Sequence, residues 1–174
     1  MHDMNRVEIW LNKALEIENR GYDFYEDAAK KVTDSLVRDF FNTLAAQELI
    51  HIKIIKKIHE RLGDGNDSCW LAARDHNYSE ASVNKIFLSM AKKEPTPDAD
   101  ILKAIDTGIA LETESLNFYQ NEIPKAGCES EKKFLTALAA EENDHRQTLT
   151  DMKLYYSDPE AWLEKMDNMH LDGV

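Results

Sequence analysis

The sequence predicts an all-α protein, a bundle of four long helices, and three observations lead there. Glycine and proline are scarce, 6 and 4 among 174 residues, so the chain has few places to turn. Four stretches carry no internal proline and are rich in Ala, Leu, Glu and Lys, which form helices readily. The second half of the chain also repeats the pattern of the first.

The first helix is expected from about Asn5 to Val32 and the second from about Ser35 to Leu62, ended by Gly63, Asp64 and Gly65. Only Thr33 and Asp34 separate them, which makes them antiparallel neighbours. The third begins near Asp98, after Pro95 and Pro97, and runs to about Ile123, before Pro124. The fourth runs from about Ser130 to Tyr155 after a short joint from Pro124 to Ser130. Between the second and third lies a crossover, 63–97, with a polar loop from Gly63 to Ser68 and a short helix from about Ser82 to Ala91. Two short joints around one long crossover define the ferritin-like variant of the four-helix bundle. The tail, 156–174, reads as a short helical piece packed on the bundle through Trp162 and Leu163. The chain is thus expected to be a single domain, 1–174, with helical hairpins 5–62 and 98–155.

The repeat has an offset of 94 residues. Glu18 is followed by Phe24 and Tyr25, and Glu112 by Phe118 and Tyr119, at the same spacing. Phe40 to His51 matches Phe134 to His145 at six of twelve positions. The two hairpins therefore form a pseudo-symmetric pair.

Composition narrows the function. A net charge of −12 repels phosphate backbones and anionic lipid surfaces, which argues against nucleic-acid or membrane binding. No stretch reaches the ~20 apolar residues needed to span a bilayer, and Met1 to Trp10 lacks an apolar signal core. Cys69 and Cys128 form neither a disulfide framework nor a Cys-x-x-Cys pair. A reduced, cytoplasmic setting is expected, with both thiols bland.

Steps of three and four from Glu18 meet Leu11, Ala14, Leu15, Gly21, Tyr22 and Tyr25, an apolar stripe with a carboxylate in its middle. Glu16 is the control, because its face holds Asn12, Lys13, Asn19, Arg20 and Asp23, a solvent face. Glu48 lies among Phe41, Leu44, Ala45, Ile52 and Ile55, Glu112 among Ile105, Ile109, Leu116 and Tyr119, and Glu142 among Leu135, Leu138, Ala139 and Leu149. Glu48–His51 and Glu142–His145 are spaced i, i+3, so each pair shares one face. A lone His or Glu on an apolar face is usually a satisfied core residue. Four inward carboxylates are not, since a single unpaired buried charge costs several kcal/mol. Two divalent ions would neutralise them. One Glu from each of two helices with Glu-x-x-His from each of the other two is the pattern of a di-iron or di-manganese carboxylate site. Tyr25 and Tyr119, with Tyr22, are either hydrogen-bond donors at this site or core aromatics with satisfied hydroxyls. His2, His76 and His170 are assigned to loops or tails.

These motifs, Glu18 with Phe24 and Tyr25, Leu44 to His51, Glu112 with Phe118 and Tyr119, and Leu138 to His145, resemble rubrerythrin-type members of the ferritin-like superfamily. The resemblance implies that Glu48 and Glu142 bridge two metals, that Glu18 and Glu112 are terminal ligands, and that His51 and His145 bind one metal each. It implies two iron ions, with manganese possible and zinc as a substitute, and an oxidoreductase acting on H2O2 or O2. Two departures mark the chain. It lacks the four cysteines of a rubredoxin domain, and it carries Ser115 where rubrerythrins have a further glutamate; Glu114 is one position off and faces differently. It is closer to the stand-alone, rubredoxin-free members. Electrons are then expected from an external donor such as a rubredoxin, and the bundle is expected to form a homodimer. Ferrous-iron oxidation and handling, and a metal-stabilised bundle without catalysis, are the alternatives.

Overall fold

Short polar residues start the helices where the sequence places joints. Helix α1 covers Met4–Lys31 and α2 covers Ser35–Arg61. The Asp34 carboxylate caps α2, accepting from the backbone N–H of Leu36 at 2.7 Å and of Val37 at 3.2 Å. Helix α3 is Val83–Met90 and α4 is Ala99–Glu122, capped by Asp98 through the N–H groups of Asp100 and Ile101. A 3₁₀ turn, Ile123–Lys125, ends α4 at Pro124. Helix α5 is Glu129–Ser157 and α6 is Pro159–Leu171. The Cys128 sulfur caps α5, accepting from the Glu131 N–H at 3.4 Å.

This computed structural model describes residues 4–62, 83–91, 95 and 98–171. No strand occurs among the described residues. Helix α1 pairs with α2, α4 with α5, and α1 also packs on α4. Helix α3, part of the crossover, lies against α2 and α5, and α6 lies against α5. The architecture is the ferritin-like bundle of two helical hairpins. The polar loop 63–68, Cys69, Trp70, His2 and His76 lie outside the described residues.

The apolar core is divided in two. One cluster gathers Tyr25, Phe40, Phe41, Leu44, Ile105 and Leu149. It is closed by α3 and α6, where the Phe87 ring meets Trp162 at 4.9 Å and Tyr155 at 5.9 Å. The other gathers Trp10, Leu11, Ile54, Ile55, Leu135 and Leu138. Each bundle helix passes from one cluster to the other, and each carries its buried glutamate at the crossing: Glu18 between Leu11 and Tyr25, Glu48 between Leu44 and Ile54, Glu112 between Ile105 and Leu116, Glu142 between Leu138 and Leu149. Burial of each large apolar side chain contributes ~1.5–3 kcal/mol. The two clusters thereby hold a polar layer in place across the middle of the bundle.

A further buried acid, unforeseen in the sequence, fastens one end. Glu131 is fully buried and accepts hydrogen bonds from Arg6 Nη2 at 2.5 Å, Trp10 Nε1 at 3.0 Å and the Gly127 N–H at 2.7 Å. Together these contacts join the start of α1 to the start of α5.

One expectation is corrected. Leu163 does not pack on the bundle; it is 59 % exposed, while Trp162 is buried. Adjacent helical residues point about 100° apart, and α6 turns Trp162 inward and Leu163 towards solvent. His170 falls in the tail, within α6, as expected.

Candidate metal centre

The six residues singled out by their apolar stripes meet in the layer between the two clusters. Glu18, Glu48, His51, Glu112, Glu142 and His145 are all buried. Their donor atoms form two sets of four: Glu18, Glu48, His51 and Glu142, and Glu48, Glu112, Glu142 and His145. Within each set the donor atoms lie within 4.8 Å of one another, and Glu48 and Glu142 belong to both. Glu16, by contrast, is exposed and pairs with Lys13.

The histidines present the same ring nitrogen to the cluster. His51 Nδ1 lies 3.0 Å from Glu18, 3.2 Å from Glu142 and 3.9 Å from Glu48. His145 Nδ1 lies 3.5 Å from both Glu48 and Glu112. Both Nε2 atoms face outward: that of His51 donates to Glu141 Oε2 at 2.8 Å, and that of His145 to Gln47 Oε1 at 2.6 Å. Carboxylates face both ring nitrogens of His51, Glu141 at Nε2 and Glu18 at Nδ1, so the proton on Nδ1 is the one an ion bound in the cluster would displace. Gln47 and Glu141 were missed in the sequence. Their partners lie on the opposite hairpin, beyond the reach of helical spacing. The signal was nonetheless present, because the 94-residue offset pairs 47 with 141, directly before Glu48 and Glu142.

Tyr25 and Tyr119 are buried, and each donates to the glutamate of the other half: Tyr25 to Glu112 Oε1, Tyr119 to Glu18 Oε1. They are therefore donors at the site, and across the halves rather than along their own helices. Burial, then the facing carboxylate, pushes both phenols well above their ordinary pKa, so they remain protonated donors. Tyr22 turns away, half-buried, and donates to Glu26 at 2.8 Å.

Close approach of α1 to Glu48 depends on Gly21. A Cβ there would lie 3.3 Å from Glu48 Oε2. Ser115, at the equivalent position of the second half, is buried beside Glu112 with no hydrogen-bond partner for its Oγ. Gly21 and Ser115 line a small gap at Glu48, Glu112 and Glu142. Glu114 faces outward and pairs with Arg20.

Without metal the layer is electrostatically strained. Burial, then the charges of Glu142, Glu18 and Glu112, pushes Glu48 well above the usual carboxylate range. Burial raises Glu112 to about 7, with His145 opposing and Glu142 adding to the rise. Burial works against ionisation of Glu18 too, yet the His51 charge and hydrogen bond leave it below its ordinary value. Burial alone would lower both histidines; the facing carboxylates, Glu18 for His51 and Glu112 for His145, push them well above the usual imidazole value. Glu48 Oε1, Glu112 Oε2, Glu142 Oε1 and His145 Nδ1 are buried with no hydrogen-bond partner. Four orphaned donor atoms, all aimed into one layer, fit a pair of divalent ions bound by oxygen and imidazole nitrogen.

Comparison with curated proteins and with solved structures gives no match. The family model for rubrerythrin matches residues 10–153, which span all four bundle helices and every residue of the buried cluster. With the bundle, its crossover and a glutamate–histidine cluster compatible with a binuclear metal site, that match shows that the chain belongs to the rubrerythrin family.

Proposed function

We propose that the chain is a non-haem di-iron carboxylate oxidoreductase that reduces H2O2 or O2 with electrons from a separate donor. The observation that carries it is the pair of four-residue sets sharing Glu48 and Glu142. Glu18 and His51 would hold one ion, Glu112 and His145 the other, and Glu48 and Glu142 would lie between them. Iron at both positions supplies one electron per ion, the two that convert peroxide and two protons into two waters.

The chain's own residues prepare that site. Tyr25 and Tyr119 fix Glu112 and Glu18 by donating to one oxygen of each, leaving the other for the cluster. Glu141 and Gln47 hold the histidine rings with Nδ1 inward. The apolar clusters on either side keep bulk water from the layer. The small gap at Gly21 and Ser115 borders the shared carboxylates. The electrons would come from a docked partner, of which a rubredoxin is one type.

A second reading, oxidation and handling of ferrous iron, is favoured by the net charge of −12, which draws cations to the surface. Metal analysis of anaerobically purified protein, followed by optical titration with H2O2 and with O2, separates the readings. Two irons per chain, reoxidised rapidly and stoichiometrically by peroxide or O2, is the expected result. Many irons per chain points to iron handling. Redox-inert zinc as the sole native metal defeats both. Sedimentation analysis of the same preparation checks the proposed homodimer.

A further inference from the structure

In each half, the residue preceding the shared carboxylate reaches across the bundle to the other half's histidine. Gln47 precedes Glu48 and accepts from His145 Nε2; Glu141 precedes Glu142 and accepts from His51 Nε2. The two positions are equivalent in the repeat and play the same part, but one is a neutral amide and the other a carboxylate. Their surroundings match their chemistry. Gln47 is 8 % exposed, where a further carboxylate would join four already buried, whereas the Glu141 side chain is 24 % exposed and keeps contact with water.

We propose that this amide–carboxylate difference makes the two metal positions unequal, so that the position held by His51 takes a divalent ion first and more tightly than the position held by His145. The inference rests on the two-metal site proposed above. A carboxylate on the far ring nitrogen makes an imidazole a stronger electron-pair donor, and charge-assisted hydrogen bonds are about twice as strong as neutral ones. The extra negative charge also attracts the ion itself. The donor atoms differ in the same sense: His51 Nδ1 lies 3.0 and 3.2 Å from Glu18 and Glu142, whereas His145 Nδ1 lies 3.5 Å from its two glutamates and lacks a hydrogen-bond partner. Glu141 and Gln47 are thus positioning residues that set the order of filling.

The test is a titration of metal-free, ¹⁵N-labelled protein with zinc(II), a diamagnetic ion, following the ring nitrogens of His51 and His145 by NMR. At one equivalent, the His51 signals are expected at their metal-bound positions, with about a tenfold preference over His145. The double variant Glu141→Gln with Gln47→Glu reverses the order, a result that a merely structural role for these residues would not produce. Glu141→Gln alone, nearly isosteric, equalises the two rings, and it carries the test if the double variant does not fold. Parallel filling in the wild-type protein, or a His51 preference that survives Glu141→Gln, overturns the inference while leaving the two-metal site standing. Failure of either ring to respond at two equivalents overturns the site and the inference together.

Discussion

At the scale of single residues, the most consequential are acids in the wrong place for acids. Glu18, Glu48, Glu112 and Glu142 were legible because each interrupts an otherwise apolar stripe, and the exposed Glu16 shows that the pattern discriminates. Replacing Glu48 or Glu142 with Ala removes a donor shared by both sets and is expected to abolish two-metal loading while circular dichroism retains its helical signal. Two metals per chain in both variants would defeat the shared role. Tyr25 was legible as a residue on the Glu18 face, but not as the partner of Glu112, since helical spacing says nothing about contacts between hairpins. Tyr25→Phe takes the hydroxyl donor from Glu112 and is expected to destabilise the metal-free protein by about 1–3 kcal/mol, read from denaturant unfolding. Tyr119→Phe should do the same through Glu18.

At the scale of elements, the joints were the easiest part to read. Asp34 and Asp98 sit where helices were expected to begin, and both make the capping bonds that fix those starts. Asp34→Ala should cost about 1 kcal/mol in urea unfolding without disturbing the site. Glu131 was not legible, because its partners come from α1 and from the joint between α4 and α5, far apart in sequence. Its loss should cost more. Glu131→Ala leaves the Arg6 guanidinium half-buried without its closest carboxylate, and about 3–5 kcal/mol of destabilisation is expected by the same measurement. Leu163 shows the other limit of pattern: two adjacent apolar residues in a short helix do not reveal which one the bundle will take.

For the molecule as a whole, stability and metal uptake depend on pH in opposite senses. Glu48 and Glu112 have folded-state pKa values above the ordinary one, so the metal-free fold favours their protonated forms and loses that advantage as pH rises, for Glu112 through about 7. His51 and His145, also raised, contribute stability present below the ordinary imidazole pKa and lost as pH climbs through their folded values. Glu18, lowered, acts the other way only at acidic pH. The metal-free protein should therefore melt at progressively lower temperature from about pH 6 to about pH 8. Metal must displace the same protons, so its affinity should rise over that range, and the loaded and empty melting curves should draw apart as pH increases. Calorimetric scans of both forms check this; a gap that narrows towards alkaline pH would show that other groups dominate.

The reciprocal wiring of the halves has a consequence for how the protein could be taken apart. Tyr25 and Gln47 serve residues of the second hairpin, while Tyr119 and Glu141 serve residues of the first. Neither hairpin, made alone, possesses a finished binding pocket, and each would expose the acids that the other normally covers. A polypeptide cleaved within the crossover should accordingly behave as two complementing fragments, inert to metal when apart and competent only when mixed.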